Sequence, residues 1–194
     1  MNTPERFKNA KYEDVPEQIR KIYEAGMSPE LSMGETKRGM YIYGSVGCGK
    51  THYCYGLKAN YDRPIQDTPI GYRPGRYAPL WNMTELLRDM RLDIDRHEKN
   101  HIEEEVMENE GLIFIDDIGA EKISDWVAET FYLIVNKRYN EMRPTVFTSN
   151  LKPDDLKERI GDRTVSRIVE MCDVVELVGS DRRLQNAKKT QIKI

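Results

Sequence analysis

Gly44-Ser45-Val46-Gly47-Cys48-Gly49-Lys50-Thr51 fits the pattern G-x-x-x-x-G-K-[ST] at every defined position. The apolar segment Met40-Tyr41-Ile42-Tyr43 precedes it, and a helical pattern runs from Lys50 to about Asn60. Strand, glycine-rich loop and helix in that order are the setting in which such a loop cradles a polyphosphate. The glycines let successive backbone N–H groups turn toward the anion, and the positive end of the following helix adds attraction. Gly44, Ser45, Val46, Gly47, Cys48, Gly49, Lys50 and Thr51, with His52 beside them, are thus the expected nucleotide-binding stretch. Lys50 is placed to reach the β- and γ-phosphates, and the Thr51 hydroxyl to ligate Mg2+.

Outward from this loop, apolar runs alternate with amphipathic ones. Val15–Ala25 reads as a helix with Ile19, Ile22 and Tyr23 on one face. Residues 61–79 carry Pro64, Pro69, Pro74 and Pro79 and no period of either kind, which predicts a long surface loop. A second strand is expected over Tyr77–Asn82. Thr84 then caps a helix whose Leu86, Leu87, Met90 and Ile94 form a core stripe and which continues, heavily charged, to Glu108. Leu112-Ile113-Phe114-Ile115 is a continuous apolar run, as for a strand buried on both faces, and it ends in Asp116-Asp117. Ser124 caps a helix with Val127, Phe131, Ile134 and Val135 facing inward. Pro144–Thr148 is a fourth strand ending at Ser149-Asn150. Pro153 opens a short helix, Gly161 ends it, Asp162 caps the next, and Val174–Val178 is a fifth strand. The alternation specifies an α/β doubly wound domain with a mostly parallel sheet, whose ligands bind beyond the carboxyl ends of the strands. Gly44, Asp116 and Asn150 all fall at such ends.

Composition narrows the class. The 194 residues are expected to form one domain, with residues 1–38 as a lead-in and 39–194 as the nucleotide-binding domain. With 33 acidic against 30 basic residues the net charge is −3, so any nucleic-acid contact must come from a local patch. Three cysteines without a C-x-x-C pair point to a reducing compartment. No stretch is long and apolar enough for a membrane span and no signal-peptide core is evident, so a soluble, cytoplasmic protein is expected.

The strand ends carry the chemistry. Asp116 closes a buried strand and is placed to complete the Mg2+ site begun by Thr51. Asp117 either polarises a water for in-line attack on the γ-phosphate or caps the following turn through Gly119. Asn150 either orients that water and senses hydrolysis or serves as a turn residue before Pro153. Arg163 and Arg167 share a helix face. They suit a finger supplied to a neighbouring subunit's γ-phosphate, or a surface ion-pair set with Glu158, Glu170 or Asp162. His97-Glu98-Lys99-Asn100-His101 matches H-E-x-x-H, but its flanks are among the most charged in the chain, and a catalytic zinc needs a third ligand and a dry cleft.

With these pieces in place, the chain resembles the AAA+ ATPases of the DnaC/DnaI helicase-loader and IstB group. The matching runs are Gly39 through His52, Asp116-Asp117-Ile118-Gly119-Ala120-Glu121, Phe147-Thr148-Ser149-Asn150, Asp162-Arg163-Thr164-Val165-Ser166-Arg167 and Gly179-Ser180-Asp181-Arg182-Arg183-Leu184. The lead-in Pro4–Ala10 is also similar. The resemblance implies a P-loop NTPase of the AAA+ (ASCE) type, a five-stranded parallel sheet in the order 5-1-4-3-2 flanked by helices, and a homo-oligomeric ring or spiral with composite ATP sites. It implies Arg167, with Arg163 beside it, as the trans-acting finger, Asn150 as first sensor, and Arg183, or else Arg182, as second sensor. As function it implies Mg2+-dependent ATP hydrolysis that loads a DnaB-like replicative helicase on single-stranded DNA. Arg88, Arg91 and Lys99, on the stretch Thr84–Glu108, would be its DNA-phosphate contacts. An IstB-like transposition helper uses the same residues with another partner. A small P-loop nucleoside or nucleotide kinase is the reading from a different class. Fewer than 40 residues precede the first strand, where loaders of this group carry a helicase-gripping domain; helicase contact is therefore expected on the ATPase domain, or the target differs. The 61–79 loop is longer than usual for the group, and its Arg63, Arg73, Arg76 and tyrosines are suited to stacking on bases or docking a partner.

Overall fold

The structure is a computed structural model that describes residues 3–27, 38–63, 65–68, 71–73, 76–95, 101–120 and 124–182. After two 3-10 turns at Glu5–Phe7 and Tyr12–Asp14, the chain forms α1 (Glu17–Met27), β1 (Gly39–Gly44) and α2 (Lys50–Tyr61). A hairpin of β2 (Ile65–Thr68) and β3 (Gly71–Arg73) follows, then β4 (Leu80–Asn82), α3 (Met83–Asp95), α4 (His101–Glu108) and β5 (Ile113–Ile118). The remainder is α5 (Asp125–Asn140), β6 (Thr145–Ser149), α6 (Pro153–Ile160), α7 (Asp162–Met171) and β7 (Cys172–Leu177).

β4, β5, β6, β1 and β7 lie side by side in that order, all parallel. Counting the strands of this sheet alone, the order is the expected 5-1-4-3-2. Alternate side chains of each strand enter opposite cores, as a two-residue period requires. Tyr41, Ile113, Ile115 and Phe147 pack with α3, α5 and α7 residues on one face. Met40, Ile42, Phe114 and Val146 pack on the other, against α2 and the segment before β1, which supplies Tyr12, Val15, Ile19 and Tyr23. The lead-in is thus part of the second core.

Several local expectations are corrected. Residues 61–79 hold the antiparallel β2–β3 pair rather than only loop. β4 begins at Leu80, and Tyr77 is 51% exposed, because only Leu80–Asn82 find partners on β5. Asn82, not Thr84, caps α3: its Oδ1 accepts from the backbone N–H groups of Thr84 and Glu85. Leu86, Leu87 and Met90 of the predicted stripe are buried, while the side chain of Ile94 lies outside the described residues. The predicted helix is described as α3 over Met83–Asp95 and α4 over His101–Glu108, and residues 96–100 between them lie outside the described residues. Residues 97–100 of the H-E-x-x-H match lie outside the described residues as well. Asp162 opens α7 rather than capping it; the junction is Gly161, whose φ of 86° favours glycine.

Arg138 on α5 is fully buried without a carboxylate partner among the described residues. Its guanidinium donates to Thr145 Oγ1 and to the carbonyls of Val106, Asn109, Gly111 and Pro144 at 2.7–3.0 Å. It thereby closes the C-terminal end of α4, where a helix leaves carbonyls unpaired, and ties it to the starts of β5 and β6. Burial, with the nearby Arg143 charge, pushes its pKa down to about 9, so it stays protonated at neutral pH.

Candidate nucleotide-binding site

The loop between β1 and α2 takes its shape from two glycines. Gly47 (φ 77°) and Gly49 (φ 112°) occupy left-handed backbone that other residues rarely adopt, and Gly49 is the N-cap of α2. The chain thereby turns its N–H groups to the helix start. Lys50, the first residue of α2, is 7% exposed. Its ammonium donates to the carbonyls of Gly44 (2.8 Å) and Ser45 (2.9 Å) and to Asn150 Oδ1 (2.7 Å) at the end of β6. All three acceptors are neutral.

One residue further on, Thr51 Oγ1 donates to Asp116 Oδ2 at 2.9 Å, and Thr148 Oγ1 donates to Asp116 Oδ1 at 2.5 Å. Asp116 is 4% exposed. Burial pushes its carboxyl above the usual range; the Thr148 and Thr51 hydroxyls pull the other way, and the neighbouring Asp117 charge adds to the rise. A buried carboxylate raised in this way gains from a cation. Thr51 and Asp116 are two hard oxygen donors already in contact, and no group of three or more His, Cys, Asp or Glu competes with them among the described residues. That donor set fits Mg2+, which binds through one or two protein oxygens and fills its other positions with water and phosphate.

Asp117 leaves the strand in a left-handed conformation (φ 63°), where the β5–β6 register shifts between Ile115 and Ile118. Its N–H donates to Thr148 Oγ1 (2.9 Å), and its Oδ1 accepts from Asn150 Nδ2 (3.1 Å). The kink separates the two acids: Asp116 stays buried beside Thr51, while Asp117 turns into a cleft of about 300 Å3. That cleft is lined by Val46, Gly47, Gly49, Lys50, Thr51, His52, Asp117 and Asn150, all foreseen, and also by Arg6, Phe7 and Arg182. His52 sits 3.1 Å from Asp14 of the lead-in. Ser45 and Cys48 serve the loop from behind: Ser45 Oγ donates to the Gly179 carbonyl, and Cys48 is buried.

Sequence reasoning missed the wall built by the lead-in, whereas Arg182 of the clasp after β7 is the alternative that the resemblance implied for the second sensor. Phe7 stacks on Tyr55 of α2 (4.7 Å, 13°), and Arg6 lies over Phe7. Arg182 donates from its backbone to the Gly47 carbonyl and from its side chain to Tyr53 Oη (2.6 Å). Arg182 is thus the arginine seen beside the phosphate loop; Arg183 lies outside the described residues. Thr148 was quoted only as part of a motif, although it braces both aspartates.

Arg163 and Arg167 do not line this cleft. No ion pair with Glu158, Glu170 or Asp162 forms at either one among the described residues. Arg163 is exposed, and Arg167 is half-buried against α5. On α3, Arg88 pairs with Asp89 and Arg91 stacks on Trp126 at 4.7 Å; Lys99 and the side chain of Arg73 lie outside the described residues.

The bacterial DnaA ATPase domain family matches residues 23–173. The replicative helicase loader DnaI of Bacillus subtilis (strain 168) is 28% identical over 159 residues, 75% of this chain and 48% of its own. The chain therefore spans about half the length of that relative. Among solved structures, the DnaC helicase loader superposes with a TM-score of 0.72 at 22% identity, covering 90% of this chain and 100% of its own. The replication initiator DnaA bound to AMPPCP and single-stranded DNA gives a TM-score of 0.66 at 21% identity, covering 89% of this chain and 51% of its own. These neighbours share the AAA+ P-loop fold. Among the described residues, no helix is long and apolar enough to cross a membrane.

Proposed function

Because this chain belongs to the bacterial DnaA ATPase domain family, we propose that it is an oligomerising, Mg2+-dependent ATPase that loads a DnaB-like replicative helicase on single-stranded DNA. In this reading residues 39–194 form the ATPase domain, and Arg6 and Phe7 of the lead-in form one wall of its site. The observation that carries it is the connected set Lys50–Asn150–Asp117 above Thr51–Asp116, drawn from three strand ends into one cleft. A kinase reading gains nothing from this set, because Asp117 and Asn150 meet each other where a kinase would hold its acceptor.

Each residue has a task. Lys50, held by three neutral oxygens and the Cys48 sulfur, exchanges them for phosphate oxygens, a stronger charge-assisted bond. Thr51 and Asp116 would hold Mg2+, which supplies neutralisation of charge on the phosphate oxygens. Asp117 accepts a hydrogen bond from the attacking water, and Asn150 fixes the carboxylate's direction by donating to its Oδ1. Asn150 bridges Lys50 and Asp117, so a change at the γ-phosphate reaches both through one amide. Arg182 approaches from the clasp, and Arg183, which lies outside the described residues, is the second sensor in this reading. Arg167, with Arg163, is the finger offered to a neighbouring copy's site. Support for the partners comes from the loader and the DNA-bound initiator whose fold or sequence this chain shares.

The test is ATP hydrolysis measured across protein concentrations with and without single-stranded DNA. Specific activity is expected to rise steeply with concentration and to fall by about 10³-fold in Arg167→Ala. Hydrolysis that is independent of concentration and indifferent to that substitution would sink the composite-site reading.

A further inference from the structure

Arg167 on α7 is held in an unusual way for a half-buried cation. Its guanidinium lies 5.3 Å from the ring centre of Tyr132 and 5.6 Å from that of Tyr139. The two tyrosines are seven residues apart on α5, two turns along one face, so they form a rack on which a planar cation rests. Nη1 donates to the Arg163 carbonyl at 3.0 Å, and Nε is buried without a hydrogen-bond partner. No carboxylate pairs with Arg167 among the described residues.

The natural partner would be Glu170, three residues on and on the same helix face. The Glu170 carboxylate, which raises the pKa of the Tyr139 hydroxyl, makes no ion pair with Arg167 among the described residues. The Tyr139 ring thus supports the guanidinium beside the Tyr132 ring. An ion pair would have to be broken before Arg167 met a phosphate, whereas π faces and one carbonyl release it at little cost. The rack also limits the rotamers of a long side chain, so less entropy is lost when it docks.

We propose that Tyr132 and Tyr139 are positioning residues that hold Arg167 charged, ordered and unpaired for delivery to the γ-phosphate of a nucleotide bound by a neighbouring copy. This rests on the reading of Arg167 as a trans-acting finger. It also assigns the finger role to Arg167 over Arg163, which is exposed and has no such support.

A mixing assay with full-length chains separates the rack from a general packing role. Lys50→Ala chains hydrolyse nothing themselves but donate a finger; Arg167→Ala chains bind ATP but lack the finger. Mixed, they are expected to recover hydrolysis. Tyr132→Leu with Tyr139→Leu placed in the Lys50→Ala donor should cut the recovered rate by about tenfold, and placed in the Arg167→Ala acceptor should leave it unchanged. Tyr132→Phe in the donor, which keeps the ring, should retain the full rate. Tyr139→Phe in the donor, which also keeps its ring, should likewise retain the rate. An equal loss from donor and acceptor placement, or no loss from donor placement, overturns the rack while leaving the finger intact. Full activity of Arg167→Ala in the otherwise unaltered chain removes the finger reading and the rack with it.

Discussion

At the scale of single residues the site is built on a costly acid. Asp116 is buried, and its carboxyl is raised by that burial. A carboxyl whose folded pKa lies above its unfolded value lowers stability at every pH above both, so at neutral pH the ionised group works against the fold until a cation joins it. Asp116→Asn is therefore expected to raise Tm without nucleotide or metal by about 2–4 °C, while abolishing Mg2+-dependent hydrolysis. A calorimetric scan in chelator, paired with an ATPase assay, checks both halves. Asp117 has the opposite character: it is turned outward by a left-handed backbone that asparagine also tolerates. Asp117→Asn should keep ATP binding and lose on the order of 10²-fold in turnover, read by nucleotide titration beside single-turnover kinetics. That the strand ends in two acids is visible in the chain. That Asp116 stays buried beside Thr51 while Asp117 faces the cleft depends on the shifted β5–β6 register, and that follows from pairing with a distant strand.

At the scale of elements the helices are tied down by side chains whose partners are local in some cases and remote in others. Ser124 caps α5 through the Val127 N–H, as its spacing predicts, because the cap lies three residues from its partner. The cap of α3 was misplaced by two residues. Thr84 and Asn82 are both good caps in isolation, and only the parallel pairing of β4 with β5 stops the strand at Asn82. Asn82→Ala should cost about 1 kcal/mol in urea unfolding. No local pattern in the chain marks Arg138. Its role emerges from four carbonyls that converge from α4 and the starts of β5 and β6. Arg138→Met should cost about 3–5 kcal/mol, since those carbonyls lose their shared donor in the interior.

Across the whole molecule the nucleotide cleft is closed by segments from both ends of the described chain. Phe7 and Arg6 approach from before β1, and Arg182 from after β7, so the phosphate loop is held between them. The aromatic wall of Phe7 on Tyr55 is expected to matter for affinity more than for stability. Phe7→Ala should weaken nucleotide binding by about tenfold, measured by fluorescence titration, with little change in Tm.

The chain by itself determined the phosphate loop, the succession of the five sheet strands and their helices, the acid pair toward the C-terminal end of β5 and the Ser124 cap of α5. These depend on backbone freedom at glycine and on the two- and 3.6-residue periods, which neighbouring residues impose on each other. Tertiary structure alone decided the register shift that turns Asp117 into the cleft, that Arg6 and Phe7 wall it, that Asn82 rather than Thr84 caps α3, and that Arg167 rests on two tyrosines. Each of those depends on groups far apart in sequence meeting at distances of a few ångströms, and no local pattern encodes which distant group will arrive.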